Sequence, residues 1–351
     1  MSTPPVSPLL LEQLLVGTDL NTDQATALMQ AWLGGTVEPV MTGALLAALR
    51  AKGVNGEELA AMAAVLREAC SLPGERPALQ LVDTCGTGGA NVGRGYEGFN
   101  ISTAVAFTAA ACGVAVAKHG NRSASGRVGS ADVLEALGLD LQTPTDQALA
   151  ALSRVGVTFL FAPGWHPSLA GLAPLRRALG VRTVFNLLGP LVNPLRPEAH
   201  VLGVARRDLL DPMADALRRL GMTRAVVVHG HSGLDEADLS GPSELRLLEQ
   251  GAIRTAQLDP GELGLGLAPL EAIAGGGLET NRAILEAVLQ GRGTPAQRDV
   301  VALNSALVLW VAGQCSSFAD GLEAALAALA AGLPWERLEG LRQALGSGAV
   351  R

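Results

Sequence analysis

Apolar side chains recur at every third or fourth position through the first part of the chain, up to about residue 72. This spacing is typical of amphipathic helices and predicts a region made of helices only. The predicted helices cover residues 8–16, 22–33, 39–51 and 56–70. Asn21 and Asn55 are start signals for two of them, and Gly34, Gly35 and Gly53 are end signals. A linker with two prolines follows at residues 71–77.

From residue 79 onward, short β-rich runs alternate with helical segments. Candidate strands cover residues 79–83, 114–118, 157–161, 200–205 and 224–229, with a further β-rich stretch at 244–257. Such alternation predicts helices packed on a mainly parallel central sheet. The fold class is therefore α/β, with a small all-helical N-terminal domain and a larger α/β domain. The run 104–117 predicts a buried helix followed by a strand, and the segment 321–333 predicts an amphipathic surface helix.

The composition is that of a globular protein with a large core. The chain has 351 residues, of which 48% are hydrophobic and 17% charged, and its formal net charge is -7. A negative chain without a basic stripe argues against nucleic-acid and membrane partners. The four cysteines have neither metal-ligand nor disulfide spacing, and residues 1–8 lack the basic start of a signal peptide. We therefore expect reduced thiols and a cytoplasmic location.

The first candidate site follows the strand predicted at 79–83. The sequence Gly86-Thr87-Gly88-Gly89 can bring main-chain N–H groups close to a ligand and form a nest for phosphate oxygens. Beyond a further loop, Asn100-Ile-Ser-Thr103 opens an apolar helix whose N-terminus favours an anion, with Ser102 or Thr103 as its cap. Taken alone, the glycines favour an ordinary turn followed by an N-cap.

The most polar segment is Lys118-His-Gly-Asn-Arg-Ser-Ala-Ser-Gly-Arg-Val128, which follows a buried run. It combines an ammonium, an imidazole, an amide and two guanidinium groups, which suits an anion with a polar group beside it. A solvated loop is the alternative. Gly93-Arg-Gly95-Tyr-Glu-Gly98 matches the dinucleotide pattern G-x-G-x-x-G, but the predicted strand ends ten residues earlier. Because that motif requires a strand directly before it, a dinucleotide site is disfavoured.

A third segment carries adjacent carboxylates. The predicted strand 224–229 runs into a glycine-rich loop that ends in Asp235-Glu236. Ligands bind at the carboxyl ends of strands in α/β sheets. Such oxygen ligands suit Mg2+, which keeps several waters and shares the oxygens of a substrate phosphate. For this pair alone, a solvated acidic loop is the better interpretation.

Together these segments resemble the anthranilate phosphoribosyltransferase family of tryptophan biosynthesis. The glycine turn, Asn100-Ile-Ser-Thr103, Lys118-His-Gly-Asn-Arg122 and Gly233-Leu-Asp-Glu236 occur in the family's order, and so do Gly129-Ser-Ala-Asp-Val-Leu134 and Arg182-Thr-Val-Phe-Asn-Leu-Leu-Gly-Pro-Leu191. The likeness extends over nearly the whole chain. It implies a nucleoside phosphorylase/phosphoribosyltransferase-like fold. It also implies a reaction in which the amine of anthranilate attacks C1 of 5-phosphoribosyl 1-pyrophosphate (PRPP) and pyrophosphate leaves.

The resemblance implies a role for individual residues. It places PRPP on Gly86, Gly89, Asn100, Ser102, Thr103, Lys118, Arg122, Ser123, Ala124, Ser125, Gly126 and Ser130. It places anthranilate beside Gly86, His119 and Asn121. The anthranilate carboxylate pairs with Arg176, because a planar guanidinium suits a planar anion. The implied cofactor is Mg2+, bound by Ser102, Asp235 and Glu236.

Two positions depart from the family pattern. The family usually reads Gly-Thr-Gly-Gly-Asp, whereas Ala90 stands at the acid position here and residues 91–98 make a longer loop. Because this acid is missing, it is open how the turn binds a metal or positions the substrate. The sequence does not favour Glu97 as a replacement acid. Ser232 stands where an Asp often precedes Gly-Leu-Asp-Glu, which is a milder departure.

The resemblance also predicts the domain arrangement. Residues 1–72, with a returning segment at about 164–193, form the helical domain, and residues 78–163 and 194–351 form the α/β domain that binds PRPP. The linkers would act as a hinge, and closure would bring Arg176 toward the ribose. A homodimer through the helical domain is implied, although its apolar face is expected to be mostly core: Leu14, Leu15, Met29, Leu33, Leu45 and Leu46.

Two other functions remain open. A pyrimidine-nucleoside phosphorylase shares this fold class and a glycine/lysine phosphate loop, but His119-Gly-Asn121 and Asp235-Glu236 fit the transferase better. A non-catalytic or nucleic-acid-binding relative that kept the fold is supported only by Ala90 and the enlarged loop.

Overall fold

The N-terminal helices lie where the apolar spacing predicts them. The computed structural model describes residues 8–70, 72, 74–89, 96–122 and 128–346. The first helices are α1 (Pro8–Leu15), α2 (Thr22–Leu33), α3 (Pro39–Lys52) and α4 (Gly56–Glu68). Asn21 and Asn55 cap α2 and α4, because each side chain accepts a hydrogen bond at 2.9 Å from the main-chain N–H three residues later. The predicted start signals are confirmed.

Seven strands form one sheet in the order β3-β2-β1-β4-β5-β6-β7. They are β1 (Leu81–Thr84), β2 (Ala115–Gly120), β3 (Val157–Phe161), β4 (Ala199–Gly203), β5 (Arg224–His229), β6 (Ser243–Glu249) and β7 (Ala252–Leu258). The first five strands pair in parallel, and β6 and β7 are antiparallel. The prediction of a mainly parallel sheet is confirmed, and the β-rich stretch 244–257 is a hairpin.

Helices cover both faces of the sheet. They are α5 (Ile101–Ala111), α6 (Ser130–Ala136), α7 (Thr145–Val155), α8 (Ala162–Trp165), α9 (Ala173–Leu179), α10 (Phe185–Leu188), α11 (Leu210–Arg219), α12 (Leu278–Leu289), α13 (Pro295–Val311), α14 (Phe318–Ala330) and α15 (Leu333–Gly346). Residues 299–311 of α13 are all buried. A helix buried on every side must be surrounded by protein, and α13 packs against both α5 and α14. The amphipathic helix predicted near 321–333 is α14, whose Leu322, Ala325 and Leu329 face inward.

Two cores lie on opposite faces of the sheet, and β5 contributes to both. Val226 and Val228 belong to the core beneath α5 and α13, whereas Ala225 and Val227 belong to the core beneath α4 and α11. Alternate side chains of a strand point to opposite faces, so the apolar run of β5 serves both layers. A strand that is apolar on both faces is the pattern expected for a buried parallel strand.

The segment 164–193 packs on the N-terminal helices. Leu172, Val184 and Leu188 share a core with α2, α3 and α4, and the rings of Trp32 and Phe185 lie 5.4 Å apart. The same core continues into α11 and β4. The predicted domain boundaries, at about residues 72, 164 and 193, therefore stay a prediction.

The apolar face of the N-terminal helices is mostly core, in agreement with the expectation. Leu14, Met29, Leu45 and Leu46 are fully buried, whereas Leu15 is 62% exposed. Within the described ranges, none of the helices combines the length and the apolar character needed to cross a membrane.

Candidate functional site

The glycine turn, the end of β2 and the acidic loop meet at the carboxyl edge of the sheet. β1 is an interior strand of the sheet, with β2 on one side and β4 on the other. The strand order reverses there, which leaves a crevice where α/β proteins bind ligands. The glycine turn follows β1, Lys118 and His119 lie near the end of β2, and the acidic loop follows β5.

The glycine turn lies directly against the acid pair. The main-chain N–H of Gly88 donates to Asp235 Oδ2 at 2.7 Å. A Cβ on Gly86 would lie 2.5 Å from the same oxygen, so a side chain there would displace the acid or the turn. Gly88 and Gly89 have φ angles of 64° and 84°, in the left-handed region that glycine adopts without strain. Turns of this kind aim successive N–H groups toward an anion.

Lys118 ties three parts of the site together. Its side chain is buried, and its Nζ donates to the Thr84 carbonyl at 2.5 Å and to Ser102 Oγ at 3.1 Å. Thr84 ends β1 and Ser102 lies in the first turn of α5. One ammonium group on β2 therefore contacts both the strand before the glycine turn and the helix after it.

A small cavity is lined by Gly86, Ser102, Asp235 and Glu236, among others. Burial raises the pKa of Asp235, although the Gly88 N–H and the Arg182 charge oppose the shift. Burial and the adjacent Asp235 charge raise the pKa of Glu236 well above its ordinary value. Two enclosed carboxylates that repel each other would be stabilised by a cation between them.

The donor atoms at this cavity suit a hard cation. Both carboxylates and the Ser102 hydroxyl offer oxygen, and Mg2+ is usually bound by one or two carboxylates plus substrate phosphates. The described part of the chain contains no cluster of three or more His, Cys, Asp or Glu side chains that would form a complete cage. The residues therefore fit a magnesium ion that is shared with an anionic ligand.

The start of α5 differs from the prediction. The helix begins at Ile101, with Asn100 in the N-cap position and no side-chain capping bond. The prediction that Ser102 or Thr103 caps this helix is therefore wrong, because both residues lie inside its first turn. The main-chain N–H of Ser102 instead faces the Glu236 carboxylate and opposes the rise of its pKa.

Three residues predicted to bind PRPP connect α5 to the region of α6. The Asn100 side-chain amide donates to the Val128 carbonyl at 3.1 Å. The Thr103 hydroxyl donates to Ser130 Oγ at 2.9 Å. These bonds bring Asn100, Thr103 and Ser130 together. The predicted site residues Ser123, Ala124, Ser125 and Gly126 lie outside the described residues.

Asn121 and Arg122 are exposed at the end of the described range 96–122. The Arg122 guanidinium pairs with Asp132 at 3.1 Å and with Glu135 at 2.5 Å, both on α6. Asn121 Oδ1 accepts a hydrogen bond from the main chain of Arg122 at 2.7 Å. The structure therefore places Arg122 on the acids of α6 and apart from the glycine turn.

His119 and His166 form a buried imidazole pair. Their ring centroids lie 5.2 Å apart in an edge-to-face arrangement, and His119 Nδ1 bonds the Gly189 carbonyl at 3.0 Å. Nε2 of each ring has no hydrogen-bond partner among the described residues. Burial lowers the pKa of His119 and lowers that of His166 to about 4, so both rings are uncharged at neutral pH. Sequence reasoning missed His166, since a single His in a helical segment gives no distinctive signal.

Arg176 lies on α9, in the segment 164–193. Its guanidinium stacks over the Phe185 ring at 5.3 Å. Burial lowers the pKa of Arg176, and no carboxylate pairs with it in the described part of the chain. A partly desolvated guanidinium without an acid partner is well suited to an anionic ligand.

A larger cleft opens on the other side of the glycine turn. Its volume is about 1030 Å³, and it lies between the end of α3, residues 180–184 and the loops after β4 and β5. Arg182 lies in its wall, where Nη2 donates to the Thr87 carbonyl and the guanidinium packs against Gly89. Sequence reasoning assigned Arg182 no role, because its partners come from a distant segment.

Asp83 was also missed, although it directly precedes the glycine turn. It is fully buried. Its Oδ1 accepts from the His119 main-chain N–H at 3.2 Å, and its Oδ2 accepts from Asn193 Nδ2 at 2.8 Å. The carboxylate thus fixes β2 and the segment 164–193 relative to β1, and Lys118 and His119 are held with them.

Cys85 lies between Thr84 and the glycine turn. Burial raises the pKa of its thiol to about 12, so the thiolate is scarce at neutral pH. The four cysteines are free thiols. These facts favour a packing role for Cys85 over a nucleophilic one.

Models of one protein family match most of the chain. Residues 8–70 match the helical bundle domain of a glycosyl transferase family, and residues 78–334 match its a/b domain. A protein of Parasynechococcus marenigrum named anthranilate phosphoribosyltransferase is 67% identical over 338 residues, which are 96% of this chain and 95% of the relative.

Solved structures show the same relationship. Anthranilate phosphoribosyltransferase from Thermus thermophilus is 44% identical, with a TM-score of 0.87 over 96% of this chain and 99% of that one. The Saccharomyces cerevisiae enzyme in complex with PRPP and Mg is 25% identical, with a TM-score of 0.81 over 93% and 92% of the two chains. The same enzyme in complex with 4-fluoroanthranilate is 26% identical, with a TM-score of 0.82 over 97% of each chain. On this likeness in sequence and fold, the chain belongs to the anthranilate phosphoribosyltransferase family of glycosyltransferases.

Proposed function

We propose that the chain transfers the phosphoribosyl group of PRPP to the amine of anthranilate. The products are N-(5-phosphoribosyl)anthranilate and pyrophosphate, and the reaction is the second step of tryptophan synthesis from chorismate. The convergence of the glycine turn, the Lys118–Ser102 pair and the acid pair carries this proposal. The names of the relatives support it.

The pyrophosphate of PRPP binds against the glycine turn, beside the small cavity, whose volume of about 10 Å³ suits a single ion. Gly86 and Gly89 approach it through the main chain, and Lys118 offsets its charge. Mg2+ bound by Ser102, Asp235 and Glu236 would stabilise the negative charge of the leaving pyrophosphate. The yeast enzyme was solved with PRPP and Mg, which supports this choice of metal.

The phosphoribosyl part of PRPP extends from the cavity toward α6. Asn100, Thr103 and Ser130 already lie along that side. Arg122 and residues 123–126 complete the site by resemblance to the family. Arg122 must leave Asp132 and Glu135, or share its guanidinium with them, to reach a phosphate.

Anthranilate binds beside the imidazole pair and the glycine turn, with Asn121 orienting it. The uncharged rings of His119 and His166 suit an aromatic ligand, and Arg176 binds its carboxylate. A structure of the yeast enzyme contains 4-fluoroanthranilate. The hinge motion expected between the helical and α/β regions would bring Arg176 toward the ribose.

The chemistry is mostly positioning and charge stabilisation. The amine of anthranilate is a neutral nucleophile at pH 7, so no general base has to deprotonate it before attack. Correct orientation of two reactants can lower a barrier by about 7–11 kcal/mol. The buried donors around the pyrophosphate stabilise the charge that develops as it leaves.

The comparisons do not favour the two alternatives. The relatives are named as the transferase and not as a pyrimidine-nucleoside phosphorylase. A non-catalytic relative would not need Asp235 and Glu236 enclosed beside Ser102, an arrangement that raises the pKa of both acids.

The protein forms a homodimer through α1 and α3. These helices pack together and expose Leu9 at 77%, Leu15 at 62% and Val40 at 87%. Neighbouring exposed apolar side chains favour a protein–protein contact. Sedimentation equilibrium should give a dimer for the wild type and a monomer for Val40→Glu. Val181→Glu, at a site that is 60% exposed, is the control and should stay dimeric; a monomeric wild type would reject this interface.

Turnover tests the function directly. Purified protein is mixed with anthranilate, PRPP and Mg2+, and the loss of anthranilate fluorescence is followed. We expect a decrease that requires all three components. A folded protein that shows no decrease would reject the proposed reaction, and turnover of a pyrimidine nucleoside with phosphate would favour the phosphorylase.

A further inference from the structure

The loop that carries the acid pair is held in shape by a third carboxylate, that of Asp238. This side chain is 0% exposed and accepts four hydrogen bonds. Oδ2 accepts from the main-chain N–H and the hydroxyl of Ser232 at 2.9 and 2.7 Å. Oδ1 accepts from the same two groups of Ser240 at 2.8 and 2.5 Å. A carboxylate has about four acceptor positions, so those of Asp238 are filled by the loop itself.

The two serines flank the acid pair. Ser232 lies three residues before Asp235, and Ser240 lies four residues after Glu236. Asp238 therefore clamps both ends of the segment that contains the acids. The fit is close, since a Cβ on Gly230 would lie 2.6 Å from Asp238 Oδ2.

Asn304 on α13 holds the middle of the loop. Its Oδ1 accepts from the Ala237 main-chain N–H at 2.9 Å, and its Nδ2 donates to the Ala237 carbonyl at 2.8 Å. With Ala237 anchored to a buried helix and both flanks anchored to Asp238, the loop has little freedom to move. The acid pair is thereby held where Asp235 meets the Gly88 N–H.

Ser232 supplies hydrogen-bond donors to this clamp, and the carboxylate that accepts them comes from position 238. We propose that Asp238 is a positioning residue for the acid pair. The inference rests on the proposed function, because it assumes that Asp235 and Glu236 bind magnesium and pyrophosphate.

The test compares Asp238→Asn with the reciprocal pair Ser232→Asp/Asp238→Ser. The matched control is Asp259→Asn, since Asp259 also accepts a main-chain N–H, from Gly261 at 2.8 Å, in the loop after β7. Each folded protein is titrated by calorimetry with pyrophosphate in the presence of Mg2+. The Mg2+ dependence of turnover and the KM for anthranilate are measured in parallel, and thermal unfolding reports on folding.

The amide of Asp238→Asn places an NH2 group against donors of Ser232 or Ser240. We expect weaker pyrophosphate binding and a higher Mg2+ midpoint by about 10- to 100-fold, the usual effect of a residue that supports metal ligands. The KM for anthranilate should stay near the wild-type value, and the reciprocal pair should recover most of the lost binding. A loss confined to the magnesium and pyrophosphate readouts separates positioning from general damage.

The proposal would be overturned if Asp238→Asn bound pyrophosphate as tightly as Asp259→Asn does. It would also be overturned if Asp238→Asn raised the KM for anthranilate and weakened the affinity for pyrophosphate by the same factor. A reciprocal pair that folds but does not recover binding would also overturn it. If Asp238→Asn does not fold, the reciprocal pair decides: near wild-type binding supports the proposal, and weak binding or failure to fold rejects it. A wild type that binds pyrophosphate without turnover would reject the proposed function, while the binding data would still decide the role of Asp238.

Discussion

The main-chain N–H of Gly88 donates a hydrogen bond to the Asp235 carboxylate at 2.7 Å, across 147 residues of sequence. This bond joins the glycine turn that suits a phosphate to a carboxylate that suits magnesium. Both are therefore placed relative to each other before a ligand binds. Groups that are already in place need no rearrangement as charge develops during a reaction.

Gly86→Ala should damage this arrangement. The added methyl carbon would lie 2.5 Å from Asp235 Oδ2, so the turn or the acid must shift. Since a misplacement of about 1 Å can cost about 10²-fold in rate, we expect kcat/KM for PRPP to fall by about that factor. Gly74→Ala is the control, because nothing lies within 4 Å of a Cβ there. Equal kcat/KM values for the two variants would show that the close approach has no function.

Arg176→Ala should weaken anthranilate binding selectively. A hydrogen bond to a charged group contributes about 1.5–3 kcal/mol, so the KM for anthranilate should rise by about 10- to 100-fold. The KM for PRPP should change little, because the proposed partner of Arg176, which stacks on Phe185, is the anthranilate carboxylate. Arg177→Ala, at the exposed neighbouring position on α9, serves as the control. Equal increases in both KM values for Arg176→Ala would reject its assignment to the carboxylate.

Replacing Asp235 by Asn together with Glu236 by Gln should remove the magnesium ligands. We expect the Mg2+ concentration for half-maximal turnover to rise by more than the factor of about 10–100 that is typical of residues that only support metal ligands. The control double variant, Asp259→Asn/Glu262→Gln, makes the same changes in the loop after β7. An unchanged Mg2+ dependence in the first variant would remove both acids from the metal site.

Glu236→Gln should stabilise the metal-free protein at neutral and alkaline pH. The pKa of Glu236 is raised above 4.5 in the folded protein, so between 4.5 and the raised value the folded chain binds more protons than the unfolded chain. The free energy of unfolding therefore falls as pH rises through this window and stays lower above it. Gln carries no charge and removes this loss.

Thermal unfolding in EDTA at a series of pH values measures this effect. The Tm of Glu236→Gln should exceed that of the wild type at pH 8, and the two should converge near pH 4. Glu262→Gln, at an exposed position, should follow the wild type throughout. If the Tm of the wild type does not decline relative to that of Glu236→Gln between pH 5 and pH 8, the charged form of Glu236 does not destabilise the folded protein.

Because many elements depend on local interactions, much of the fold could be predicted from the sequence. Asn21 and Asn55 bond to N–H groups three residues away, so the caps of α2 and α4 depend on short segments only. The local sequence predicted the wrong cap for α5, because Asn100, Ser102 and Thr103 lie within four positions and are all good capping residues. Contacts with Val128 and Ser130 decide which of them lies outside the helix.

Side chains whose partners are far away in the sequence could not be predicted in the same way. Arg182 reaches Thr87 and Asp83 reaches Asn193, over 95 and 110 residues respectively. His166 joins the site through the contact of its ring with that of His119, which comes from a different element. No spacing rule relates such positions, because the distance between them is set by the sheet and not by the intervening chain.

The sequence by itself determined the element types, the parallel character of the sheet and the chemical content of the site. Hydrophobic periodicity, capping residues and glycine turns act over a few residues, and motif order identified the family. The tertiary structure alone decided that Gly88 meets Asp235, that Lys118 meets Ser102 and that Asp238 closes the acidic loop on itself. These contacts arise when β1, β2 and β5 are brought to one edge of a sheet, and that approach depends on the packing of the whole core.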